Sequence, residues 1–92
     1  MIPQHARLLF WDINVETFDP QAYPRYTIER VLEHGDEPDV AWLLRVVSTQ
    51  QIQDVLRTTR RLSRRSASFW ALVFGVPAGE LRERRPALFS AP

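Results

Sequence analysis

Helix start and stop signals recur at short intervals from Asp19 to Pro77, and they leave room for little except a bundle of short helices. Asp19-Pro20 offers a capping side chain followed by proline at the first helical position. Pro24 lacks an amide hydrogen, so the regular helix is expected from Pro24 to His34. Gly35 is expected to end it by taking the left-handed conformation without penalty. Asp36 then caps a second helix over 37–47, with Asp39 in its first turn, where a negative charge suits the helix dipole. Ser48 and Gln51 have the spacing of a capping box and open a third helix over 49–61. Leu62-Ser63 breaks the chain again, and Ser63 caps a fourth helix over 64–74 that Gly75 and Pro77 terminate. The stretch 78–85 reads as a short polar helix, and 86–92 as a flexible tail.

Apolar spacing agrees with these boundaries. Ile28, Val31 and Leu32 form one stripe; Val40, Leu43, Leu44 and Val47 a second; Ile52, Val55, Leu56 and Thr59 a third. The run from Arg7 to Ile13 is too short to fix as a helix and reads as a brief strand or extended segment, with Leu9, Phe10 or Trp11 wedged into the core. The expected fold is therefore mainly α. It is a compact bundle of four to five short helices with an N-terminal extended apolar segment, one domain over residues 1–85.

With 92 residues the chain builds one core and has little room for a deep cleft. The absence of cysteine excludes disulfides, thiolate zinc sites and a cysteine nucleophile. The first residues lack a basic stretch followed by an apolar one, and no apolar run approaches the roughly 20 residues that cross a bilayer. A cytoplasmic protein with no membrane contact is expected.

Motifs for chemistry are missing. The three glycines, at 35, 75 and 79, make no phosphate loop. His5 and His34 stand far apart, without the spacing of metal ligands. Asp12, Glu16 and Asp19 have no accompanying nucleophile–base arrangement. No catalytic residue, metal site or cofactor is expected.

Charge is divided along the chain. Residues 1–54 carry four Arg against nine acids, a net −5, while residues 55–92 carry eight Arg against two Glu, a net +6. Arg57, Arg60, Arg61, Arg64 and Arg65 are the densest cluster, and they flank a helix–turn–helix reading. Yet the helix after the turn is apolar nearly all round: Ala67, Trp70, Ala71 and Phe74 on one side, Phe69, Leu72 and Val73 on much of the other. A major-groove helix needs polar side chains toward the bases. Such a helix is either the central helix of the fold or one that packs on a second protein, and the central position is expected.

Three segments carry a resemblance. They are Leu9-Phe10-Trp11-Asp12; Ile28 to Asp36; and Leu62-Ser63, Ser66 and Phe69-Trp70-Ala71-Leu72. Together they resemble a family of small bacterial proteins encoded beside nucleotidyltransferase-like toxins of the AbiEii type. The resemblance implies an antitoxin-like role: the chain would bind and neutralise a cognate nucleotidyltransferase-type toxin, and it implies no catalytic residues. The alternative is a helix-turn-helix transcriptional regulator that binds DNA. Contact surfaces are expected on the face of Arg57, Arg60, Arg61 and Arg64, or on the N-terminal Phe10/Trp11 segment if it projects.

Overall fold

The computed structural model describes residues 2–81, and they form a mainly α bundle. A 3-10 helix spans Gln4–Phe10. Four α-helices follow: α1 Pro24–His34, α2 Glu37–Val46, α3 Thr49–Thr58 and α4 Arg64–Phe74. A 3-10 turn covers Ala78–Glu80. The second part of the polar helix expected at 78–85, and the tail at 86–92, lie outside the described residues.

The N-terminal segment is helical rather than extended. Ala6, Leu9 and Phe10 come to one side of the 3-10 helix and are buried, which a fully extended strand with alternating faces would not achieve for two adjacent residues. Asp19 caps a turn instead of a helix, its carboxylate accepting from Gln21 N at 3.0 Å and its carbonyl from Ala22 N at 3.1 Å. Regular helix begins at Pro24.

Helix ends follow side-chain chemistry. Ser48 and Gln51 form a reciprocal box: Gln51 N donates to Ser48 Oγ at 3.1 Å, and Ser48 N donates to Gln51 Oε1 at 2.9 Å. Ser63 Oγ accepts from Ser66 N, and Ser63 N donates to Glu33 Oε1, fixing the start of α4 against α1. Gly75 ends α4 with φ 75°, and Val76 N reaches back to Ala71 O. Gly35 is different: its backbone is extended, with φ −88°. Glycine is needed there for space, because a Cβ would stand 2.7 Å from Val31 O and 3.0 Å from Asp39 Cβ.

Helix α3 stops at Thr58, three residues before its expected end. The cause is Thr59. Its hydroxyl donates to Glu29 Oε2 at 2.7 Å and accepts from Arg61 N at 3.0 Å, which draws the backbone out of helix. Glu29 is buried on α1, and Arg25 approaches it at 3.5 Å.

The central element is α1. It packs against the N-terminal 3-10 helix and against α2, α3 and α4. Ile28, Val31 and Leu32 join Phe10, Leu43, Ile52 and Leu56 in the core. The expectation that α4 is central is not met. Only Ala67 and Ala71 of that helix are buried, while Phe69, Leu72 and Val73 face outward. Ala67 and Ala71 bring α4 close to the bundle, Trp70 and Phe74 pack partly buried against the core, and Phe69, Leu72 and Val73 are left on the far side.

Candidate protein interaction surface

The outward face of α4 continues onto α2. Phe69, Leu72 and Val73 are 55, 82 and 53% exposed, and Leu44 on α2 is 45% exposed. Between the two helices lies an open groove whose floor is Val40, Ala41, Leu44, Phe69, Trp70 and Val73. Trp70 is fixed from behind, its Nε1 donating to Leu32 O at 2.8 Å, and its ring meets Phe69 edge-on at 4.8 Å. The apolar face therefore rests on a held aromatic pair. Folded domains leave scattered apolar residues exposed, whereas these four lie together. Covering these four side chains would contribute roughly 4–6 kcal/mol to a complex before the cost of association.

The residues singled out from sequence are dispersed. Phe10 is a core residue, only 1% exposed, and cannot serve as contact surface. Phe18, Tyr26 and Trp42 surround it with ring centroids 5.5, 6.1 and 6.3 Å away. Trp11 does project, but it is clamped. The Arg30 guanidinium carbon lies 4.2 Å from its ring centroid and 4.9 Å from that of Tyr26, while His34 meets Trp11 edge-on at 5.2 Å. Arg30 is itself held by Leu9 O and by the Asp12 carboxylate, which also accepts from the Tyr26 hydroxyl at 2.6 Å. The Tyr26 hydroxyl and then Arg30 hold the Asp12 carboxyl below the usual carboxylate range. Burial, reinforced by Asp12, pushes the Tyr26 phenol up to about 12.

The arginines do not act as one face. Arg57 on α3 turns toward Glu80 at 2.8 Å and Asp54 at 3.5 Å, bracing the Ala78–Glu80 turn. Arg61 leans toward Glu29 on α1, at 3.9 Å. Arg60, Arg64 and Arg65 are exposed around the connection from α3 to α4.

A second, polar cavity is lined by Tyr26, Glu29, Arg30, Glu33, His34 and Arg61. Its polar groups are already engaged in holding α1: Glu29 with Thr59, Glu33 with Ser63 N, Arg30 with Asp12. His5 Nδ1 lies 2.6 Å from the buried Asp39, joining the N-terminal 3-10 helix to α2. Among the described residues no three His, Asp or Glu side chains gather as a metal would require, and no helix is long and apolar enough to cross a membrane.

Sequence reasoning missed Leu44, Phe69, Leu72 and Val73 as surface. The signal was present in the all-round apolar character of 64–74, but it pointed to a core position.

These features define a small, mainly α domain bearing an apolar surface patch. The chain belongs to the family of unknown function DUF6922, whose model matches residues 6–56, more than half its length. That span runs from the N-terminal 3-10 helix into α3 and includes the α2 wall of the groove. Comparison with curated proteins and with solved structures gave no match.

Proposed function

We propose that this protein is an antitoxin-like interaction protein that binds and neutralises a cognate nucleotidyltransferase-type toxin in the cytoplasm. It acts by contact, not catalysis. The observation that carries the contact is the exposed apolar face of Leu44, Phe69, Leu72 and Val73. The kind of partner rests on the resemblance carried by Leu9 to Asp12, Ile28 to Asp36 and Leu62 to Leu72.

Co-expression with the product of the neighbouring gene tests it. The two proteins are expected to elute together in size-exclusion chromatography, and growth is expected to recover from the toxin. Separate elution with no recovery overturns the proposal.

A second reading, DNA contact, is favoured by the exposed Arg60, Arg61, Arg64 and Arg65 around the α3–α4 connection. Its signature is binding to the protein's own promoter that weakens steeply with salt and with substitution of Arg60 and Arg61. A low-salt gel shift indifferent to those substitutions removes it.

A further inference from the structure

The groove between α2 and α4 has a polarity that its apolar floor alone does not show. Along α2 its wall is Glu37, Val40, Ala41 and Leu44, spaced as one helical face. From Glu37 to Leu44 this face runs about 10 Å, roughly two helical turns. At the end where α2 begins, Asp36 and Glu37 stand at the groove and are exposed. Among the described residues no cation pairs with either of them. One end of an apolar groove thus carries two acidic side chains, beside the amino end of a helix.

We infer that the groove receives an amphipathic helix of the partner, running antiparallel to α2, with Lys or Arg in its last turn set against Asp36 and Glu37. The inference rests on the proposal that this face is the contact surface, and adds what occupies it and in which direction. An apolar stripe at i, i+3, i+4 and i+7 matches a floor built from one helical face and two aromatic rings. Direction follows from charge. Helices favour cations in their final turn, where the carbonyl ends of the peptide dipoles are negative. Running antiparallel to α2, such a helix sets its cations beside the two acids, and its negative carbonyl end faces the positive end of the α2 dipole. The reverse orientation sets its amino end, where acidic side chains concentrate, against Asp36 and Glu37.

Two synthetic peptides of about 15 residues, roughly four turns, serve as probes. Both carry the same Leu and Ala stripe and are held helical by a lactam bridge on the outward side. One ends in two Lys and the other in two Glu. Binding to the full chain is read by fluorescence anisotropy at low and high salt. The Lys-ended peptide is expected to bind about tenfold more tightly at low salt, the difference shrinking as salt rises. Glu37→Lys, whose added charge cancels that of Asp36, is expected to equalise the two, and Glu37→Gln, which leaves Asp36 alone, to narrow the difference if the lysine variant fails to fold. Equal binding of both peptides to the unsubstituted chain overturns the inference, as does binding of neither. A stable dimer in which the chain's own second copy shields Trp70 and excludes both peptides overturns it as well. The two proposals fail separately. If the peptides obey the polarity but the toxin does not bind, the groove's occupant stands and the toxin falls. If the toxin binds and Glu37→Lys leaves both it and the peptides unaffected, the contact face stands and the helix polarity falls.

Discussion

Phe10→Ala is expected to destabilise the protein by about 3–5 kcal/mol, the usual cost of emptying a buried phenylalanine site. Phe10 comes from the short N-terminal helix, but its neighbours belong to three other places. Phe18 lies in the following loop, Tyr26 on α1 and Trp42 on α2. Truncation removes the shared contact of all three. The side chain is nearly inaccessible, so collapse around the vacancy needs the α1–α2 pair to move. Domains of this kind hold only about 5–15 kcal/mol in total, so the variant should be close to unfolding at physiological temperature. Urea titration followed by tryptophan fluorescence measures the loss. A change below about 1 kcal/mol would mean that Phe10 is not a core residue. The same experiment separates the two roles considered for Phe10, since a surface contact would cost binding and leave the urea midpoint in place.

What could be read from the chain was mostly local. The Ser48/Gln51 box, the Ser63 cap and the Gly75 stop need only neighbours within a few residues, and each is present. The start of α1 at Pro24 and both limits of α4 follow from such signals. Features that depend on distant partners were not legible. The end of α3 is set by Glu29, thirty residues before Thr59. Gly35 is required by the approach of Val31 and Asp39, not by its own backbone angles. The short N-terminal helix owes its form to the core it enters rather than to its own pattern.

The exposed face of α4 was hidden by the same limit. A helical wheel shows that residues 64–74 are apolar on most sides, but not which side meets the bundle. Packing chose Ala67 and Ala71, because small side chains let α4 approach α1 and α3 closely. Likewise Trp11 is visible as a large aromatic in the sequence. Its clamping between Arg30 and His34 requires α1 to be folded alongside it.

The strongest test of that outward face is the variant with Phe69, Leu72 and Val73 all replaced by serine. Toxin affinity is expected to fall at least about thirtyfold, since removing an aromatic anchor and its neighbours from an interface centre commonly costs about 2 kcal/mol or more. Folding stability is expected to fall by no more than about 2–3 kcal/mol, most of it from the lost Phe69–Trp70 contact, with a cooperative unfolding transition kept. Calorimetric titration with the toxin and urea unfolding of the free variant give the two numbers. Their combination distinguishes the possible places for α4. Were it the central helix, the three serines would abolish the unfolding transition, and lost binding would merely report lost structure. Were the face exposed but unused, the affinity would stay where it is. Only a helix docked by Ala67, Ala71, Trp70 and Phe74, with Phe69, Leu72 and Val73 turned to a partner, loses binding while keeping its fold.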